Sequence, residues 1–228
     1  MANESNQNNS EIKDFFVQHG TKVIVALIVV LAIVAGIIQI RDSRRAAAAE
    51  QAELLGKGYA FLYVNDKENA LAEFESQINA GKLNGLALAK AALLAGNIKY
   101  EKADYDGAIA LFQKSIDNAG SVALVRSAAI HGLASSKIEK GDFSAAAKLL
   151  EDFVKEFGKR TGDKEDRFQK EEPIDETPLV PDAMWKLVLL HNELGSAGKA
   201  KDVASRIVEV YGDNQQYADK AKKFLAAQ

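Results

Sequence analysis

Cysteine is absent from this 228-residue chain, and proline and aromatic residues are scarce. Without cysteine there is no disulfide framework, no thiolate metal site, no cysteine nucleophile and no lipid-modified cysteine. Proline occurs three times and aromatic residues make up 7% of the chain, while hydrophobic residues make up 47%. This composition excludes a wholly disordered protein and favours packed helices over aromatic, β-branched strands. We therefore expect an all-α fold.

An excess of one charge is also lacking, since 29 basic residues stand against 32 acidic ones for a net charge of −3. A balanced charge gives no electrostatic footprint for gripping nucleic acid, so DNA and RNA are not expected partners.

Signatures of catalysis are missing as well. The three histidines show no pair at metal-ligand spacing, and no serine lies in a GxSxG elbow. The segment GSAGKA at 195–200 lacks the spacing of a phosphate-binding loop and the serine or threonine that follows its lysine. We expect no enzyme activity, no metal, no cofactor and no small-molecule substrate.

One long apolar run is present near the start of the chain. Residues 23–38 contain no polar side chain, and extending the run to 21–40 gives the length that crosses a hydrocarbon core of about 30 Å. The sequence predicts a transmembrane helix at 21–40, preceded at 1–20 by a tail and a lead-in helix, with 2–10 unstructured. A cleaved signal peptide is the alternative. A signal peptide begins with a short basic stretch, whereas the segment before this apolar run is long, mixed in charge and rich in asparagine.

The orientation of this span is not decided by charge. Lys13 and Lys22 precede the span, whereas an arginine cluster and Lys57 follow it; the cluster is Arg41, Arg44 and Arg45. A positive-inside count would keep the large domain in the cytosol, but long domains translocate largely regardless of their charge.

Beyond the apolar run, the sequence pattern repeats with a constant period. The interval from Ala70 to Ala108 equals the interval from Ala108 to Ala146. Each repeat has a small residue, an alanine twelve positions later and a large apolar residue four positions after that: Gly58, Ala70 and Phe74; Gly96, Ala108 and Phe112; Ala134, Ala146 and Leu150. This spacing is similar to the tetratricopeptide pattern, in which two antiparallel helices pack closely at small residues. An alanine-rich helical bundle is the alternative.

A weaker fourth unit aligns Ala200 with the repeated alanine, with Val188 and Ala204 in the flanking positions. Residues 214–227 are predicted to form a capping helix. The charged stretch 159–181, which contains all three prolines, is predicted to be an exposed loop. Together these assignments predict a tetratricopeptide-like α-solenoid of about four helix pairs over residues 46–228.

The first helices of such a solenoid line a concave groove, and their side chains that point away from the packing face are candidates for binding a partner. In this register the candidates are Tyr59, Leu62, Lys90, Asn97, Tyr100, His131, Ser135, Trp185 and Asn192. Tryptophan and tyrosine offer large contact area at low conformational cost. For Tyr59, Leu62 and Trp185 the alternative is that they fill the core.

The order of parts resembles the YfgM-like ancillary subunits of the bacterial SecYEG translocon. The resemblance rests on a short tail, Phe15 and Phe16 ahead of Gly20, Lys22, one apolar span and a tetratricopeptide-like domain. It implies a bacterial inner-membrane protein with a cytosolic N-terminus and a periplasmic domain that meets the translocon, periplasmic chaperones and unfolded clients. The chain departs from that picture in its arginine cluster and charged insertion.

The resemblance therefore favours a membrane-anchored protein-binding module that holds emerging clients without catalysis. A structural scaffold of another envelope complex, such as division or cell-wall machinery, is the second hypothesis. The identity of the clients and the oligomeric state are not encoded in any motif.

Overall fold

The computed structural model describes residues 2–160 and 177–228; among these, side chains are described except those of 2–20 and of 23, 24, 26 and 27. Within that part the regular secondary structure is entirely α-helical, as the composition predicts. The helices are α1 (Ala2–Tyr63), α2 (Lys67–Asn79), α3 (Gly85–Glu101), α4 (Tyr105–Asn118), α5 (Ala123–Glu139), α6 (Phe143–Phe157), α7 (Val180–Glu193), α8 (Ala197–Val210) and α9 (Gln215–Ala226).

The chain divides into two compact units, residues 1–50 and 51–228. In the first unit the backbone is helical from Ala2, including the stretch 2–10 that was expected to be unstructured. No proline and no glycine interrupts the chain before Gly20, so nothing in this stretch terminates a helix. Phe15 and Phe16, on which the resemblance partly rests, fall outside the described side chains.

Large apolar side chains of this first unit are exposed at intervals from Val25 to Ile40. Searched over its described residues, the structure contains no helix with enough length and apolar character to cross a membrane.

The second unit repeats its helix pairs with the predicted period. The helices α2, α4 and α6 begin at Lys67, Tyr105 and Phe143, and α3 and α5 begin at Gly85 and Ala123, so equivalent helices start at equal intervals along the chain. The aromatic residues Tyr105 and Phe143 open the second helices of their units, as the tetratricopeptide pattern expects.

The turn inside each of these pairs also repeats. A residue in the left-handed region, with φ of 59° at Asn65, 61° at Ala103 and 76° at Gly141, ends the first helix. An aspartate follows and caps the second helix by accepting a hydrogen bond from the backbone N–H three residues later. These caps are Asp66, Asp104 and Asp142.

Packing arranges the helices in two layers. Each helix from α2 to α9 contacts the next, apart from the interval around 161–176, across which α6 contacts α7. In addition α3 packs on α5, and α7 packs on α9. Leu55 near the end of α1 lies in one buried cluster with Ala91 and Ala95 of α3. The end of α1 with α3, α5, α7 and α9 therefore forms one layer, here called the first-helix layer, and α2, α4, α6 and α8 form the other.

Close approach within each pair occurs at the repeated small residues. A Cβ added to Gly58 would lie 2.2 Å from Cε1 of Phe74, and one added to Gly96 would lie 2.9 Å from Cε1 of Phe112. Both rings are almost fully buried. The predicted packing of small residues against Phe74 and Phe112 is therefore present.

The third and fourth pairs fill the same space with different residues. Ala134 and Leu150 in the third pair, and Val188 and Ala204 in the fourth, occupy the equivalent positions, and all four lie in one buried cluster without exposed surface. As the residue on the first helix grows from glycine to alanine to valine, its partner shrinks from phenylalanine to leucine to alanine. The fourth unit therefore keeps the helix pairing although it departs from the sequence pattern.

Candidate protein-binding face

The predicted candidates all lie on the first-helix layer. Tyr59, Asn97 and Asn192 are exposed, and Ser135, with 9% of its surface exposed, is buried. The remaining candidates are partly buried: Leu62, Lys90, Tyr100, His131 and Trp185. The core-filling alternative holds in part for Leu62, which packs against the buried cluster around Leu55 and Phe74, and for Trp185.

A polar cluster links three helices of this layer near its C-terminal end. It consists of His131 on α5, Asp182 and Lys186 on α7, and Tyr217 on α9, and is called here the tyrosine–aspartate cluster. The Asp182 carboxylate accepts from Lys186 Nζ at 2.6 Å and from the Tyr217 hydroxyl at 2.8 Å. His131 Nε2 lies 2.7 Å from the same carboxylate and 2.8 Å from Lys186 Nζ.

The electrostatics of the cluster follow from these contacts. Burial acts to raise the pKa of Asp182, but the hydrogen bonds from His131, Lys186 and Tyr217 hold that pKa well below its usual range. Burial and the neighbouring carboxylate raise the pKa of Tyr217 to about 12. The carboxylate is therefore ionised and the phenol neutral at physiological pH, which keeps the two hydrogen-bonded.

An aromatic surface adjoins the tyrosine–aspartate cluster. Trp185 and Phe224 meet edge to face with ring centroids 6.5 Å apart. The ammonium of Lys220 lies 5.9 Å from the Trp185 ring centroid and 5.1 Å from that of Tyr217, within the range of cation–π attraction. This end of the layer thus presents aromatic side chains beside a cation.

A second aromatic group lies where the end of α3 meets the start of α4. Tyr100 and Tyr105 pack edge to face with centroids 5.6 Å apart. Their hydroxyls donate to the two carboxylate oxygens of Glu139 at 3.3 and 3.5 Å. Burial first and Glu139 second raise the pKa of Tyr100, so this phenol is neutral at physiological pH.

The sequence identified only part of these groups. His131 and Trp185 were predicted, whereas Asp182, Lys186 and Tyr217 were not. Asp182 and Lys186 stand four residues apart on α7, a spacing that signals a helical ion pair. Their convergence with α9 depends on how the last helix packs, for which the sequence carries no comparable signal.

A separate depression lies where α6 ends and where α8 turns into α9. Arg160 lies 5.2 Å from the ring centroid of Tyr211 and pairs with Asp213 at 3.2 Å. The buried hydroxyl of Thr177 has no hydrogen-bond partner in the structure as described. Arg160 and Thr177, the described residues on either side of 161–176, line this depression, and most of the predicted 159–181 loop falls outside the described residues.

Among the side chains that the structure describes, which begin at Thr21 and exclude 161–176, no three of histidine, aspartate or glutamate gather in a way that could hold a metal ion. The paired helices, the repeated turn and the close contacts at Gly58 and Gly96 define a tetratricopeptide-type helical repeat protein. This fold usually serves as a non-catalytic scaffold for protein–protein interaction. The family model described as "Tetratricopeptide repeat-like domain" matches residues 13–164, and the chain belongs to that family.

Solved structures show the same fold at low sequence identity. The crystal structure of MamA is 15% identical with a TM-score of 0.51, and the match covers 74% of this chain and 90% of MamA. A tetratricopeptide repeat protein from Parabacteroides merdae ATCC 43184 is 15% identical with a TM-score of 0.55, covering 78% of this chain and 66% of that one. This chain thus spans slightly less than two thirds of the second structure. No curated protein matches the chain.

Proposed function

We propose that this protein is a membrane-anchored, non-catalytic protein-binding module of the bacterial inner membrane. In this proposal the first-helix layer lies in the periplasm, associates with the Sec translocon and periplasmic chaperones, and holds emerging clients. The observation that carries the binding role is the row of exposed and half-buried polar and aromatic side chains on one layer of a tetratricopeptide-like domain.

The chemistry of this row suits reversible contact with polypeptide. Asn97 and Asn192 expose amides that can pair with a partner's backbone whatever its sequence. Trp185, Tyr217 and Lys220 offer an aromatic, cationic surface for side chains. Polar amides combined with few aromatic anchors favour weak binding of many clients over tight binding of one.

The anchoring role is supported by the exposed apolar side chains between Val25 and Ile40. A soluble protein rarely exposes so many large apolar side chains in one stretch, and transfer into hydrocarbon would remove them from water. The lipid bilayer is therefore the proposed environment of residues 21–40, with residues 1–20 in the cytosol.

A scaffold for division or cell-wall machinery is the competing role, because the same fold can hold a fixed complex together. Photo-crosslinking in living cells distinguishes the two. A photoreactive residue at Asn97 or Asn192 is expected to yield adducts with translocon subunits or periplasmic chaperones, whereas adducts with division proteins would favour the scaffold. Lys114 and Asp152, exposed on α4 and α6, are matched control positions, and equal crosslinking from them would overturn the proposed face.

The proposed topology is testable because the chain has no cysteine of its own. A single Ser121→Cys substitution in an exposed turn is expected to react with a membrane-impermeant maleimide once the outer barrier is opened. Asn6→Cys is expected to react only after the inner membrane is lysed. The reverse pattern would place the domain in the cytosol, and complete release of the protein by alkaline carbonate would exclude a spanning anchor.

The client-holding role has its own measurement. The full chain is expected to delay the aggregation of a chemically unfolded model client, as followed by light scattering, without added ATP. Trp185→Ala combined with Asn97→Ala is expected to weaken the delay. Aggregation at an unchanged rate with the unsubstituted protein would refute this role while leaving the membrane anchor intact.

A further inference from the structure

The junction between the first and second helix pairs is closed by two ion pairs. Lys67 Nζ lies 2.6 Å from Glu101 Oε2, and Lys102 Nζ lies 3.1 Å from Glu68 Oε1. Each bond joins the start of α2 to the end of α3. No histidine takes part in either of these two contacts.

The junction between the second and third pairs repeats the arrangement one period later. The Tyr105 hydroxyl donates to Glu139 at 3.5 Å, and Lys140 pairs with Asp106. These bonds again join the start of a second helix to the end of the next first helix. The first two junctions are therefore closed by equivalent contacts.

The junction between the third and fourth pairs lacks this arrangement. The equivalent positions at the start of α6 are occupied by Phe143 and Ser144, which carry no charge. In the described residues, the polar side-chain contacts from α7 back to α5 and α6 all include a histidine. These are His131 on α5, which meets Asp182 and Lys186, and His191 on α7, which meets Glu151 of α6.

His191 occupies the more confined of the two positions. Its side chain is almost fully buried, and its Nε2 lies 3.3 Å from Glu151 Oε1. The same carboxylate oxygen pairs with Lys199 Nζ of α8 at 3.1 Å. Within the described residues, the charged groups that face His191 are Glu151 on α6 and Lys199 on α8. The other polar contacts of α7 belong to the tyrosine–aspartate cluster, which consists of Asp182, Lys186, His131 and Tyr217.

The direction of the pH effect follows from this environment. Burial lowers the pKa of His191, Glu151 opposes that change, and Lys199 reinforces it. The opened state, in which the ring meets water, therefore binds a proton more readily than the closed state. The closed junction is fully stable above the ordinary histidine range and loses stability as the pH falls below about 6.5.

We propose that the third junction is a pH-sensitive joint, in which protonation of His191 loosens the docking of α7, α8 and α9 on α6 while the first two junctions stay closed. Repeat proteins open in segments because each unit contacts only its neighbours. Arg206 also donates to the Gly158 carbonyl at 3.0 Å across this junction, a contact that involves no histidine. Acid would thus loosen the helices that carry Trp185, Asn192 and Tyr217 ahead of the rest.

Hydrogen exchange of the full chain, corrected for the intrinsic effect of pH, tests the joint at about pH 7.5 and about pH 5.5. We expect exchange in α7–α9 to accelerate on acidification, by at most about tenfold between these two pH values for one proton, with no such change in α2–α5. Trp185 is the only tryptophan of the chain and lies in α7, so its fluorescence should shift over the same range.

Substitutions identify the titrating group. His191→Gln should remove most of the pH response, whereas His131→Gln and His19→Gln should retain it. Glu151→Gln removes an exposed carboxylate without disturbing the core and should enlarge the loss on acidification, because that carboxylate stabilises the protonated ring. A response that persists in His191→Gln, that is unchanged in Glu151→Gln, or that spreads evenly over α2–α9 would overturn the proposal.

Discussion

The contact between Gly58 and Phe74 offers the sharpest test of the helix pairing. In Gly58→Ala the new Cβ would lie 2.2, 2.6 and 2.7 Å from three ring atoms of Phe74. Carbon atoms in contact prefer about 3.5 Å, so the ring would have to retreat by about 1.3 Å. Phe74 is 1% exposed and surrounded by core residues, which leaves it little room to move.

Two opposing effects set the magnitude. Overpacking a close-packed core costs about 1 to 3 kcal/mol. Replacing glycine by alanine in a helix returns about 0.5 to 1 kcal/mol through conformational entropy. Gly58→Ala should therefore lower the free energy of unfolding by about 0.5 to 2 kcal/mol, since the steric cost is the larger of the two effects.

Gly56→Ala is the matched control, because Gly56 lies on the same helix with nothing within 4 Å of an added Cβ. It should raise the free energy of unfolding by about 0.5 to 1 kcal/mol. Urea titrations of the full chain followed by circular dichroism measure both variants. The two substitutions should shift the midpoint in opposite directions, and a stabilising effect of Gly58→Ala would refute the close contact.

A second substitution tests whether the two positions compensate each other in size. The third pair already combines alanine with leucine, at Ala134 and Leu150, without exposed surface. Phe74→Leu alone should cost about 1 kcal/mol by leaving space beside Gly58. Combined with Gly58→Ala it should cost less than the sum, with a favourable coupling of about 1 kcal/mol. Strict additivity would contradict size compensation.

Three further predictions concern the turns and the tyrosine–aspartate cluster. Ala103→Gly should stabilise the protein by about 1 kcal/mol in urea unfolding, because Ala103 holds a left-handed φ, and Gly141→Ala at the equivalent turn should have the opposite effect. Asp182→Asn should cost about 2 kcal/mol, measured the same way, since it leaves half-buried charged partners without a carboxylate. Lys99 and a backbone amide lower the pKa of the Asp104 cap. The ionised cap therefore stabilises the folded protein above about pH 4, and this stabilisation is lost as the pH falls below that value. Asp104→Asn should flatten this part of the acid-unfolding curve.

The constant period of the sequence made the repeated fold predictable. Small residues such as Gly58 and Gly96 mark where two helices must approach, and Tyr105 and Phe143 mark where second helices begin. The helix-capping aspartates Asp66, Asp104 and Asp142 recur with the same period. They could also have been used to predict where the second helices begin, since aspartate before a helix is a strong start signal.

The candidate face was less predictable because exposure depends on neighbouring units. Ser135 follows Ala134 in the predicted register, yet it is buried in the structure. Gly132, two residues before Ala134, is also in the path of the Phe112 ring, at 2.6 Å from an added Cβ. The alignment of single units contains no information about such contacts between units.

The fourth pair explains why a residue pattern can fade while its structure persists. The space between two helices at this level is filled jointly, so the packing constrains the combined volume of two side chains more than either identity. In the first pair the larger side chain, Phe74, lies on the second helix and faces Gly58 on the first. In the fourth pair the larger side chain, Val188, lies on the first helix and the smaller one, Ala204, on the second. A search that scores the pair by total volume would therefore detect the fourth unit, which a search for glycine and phenylalanine at fixed positions passes over.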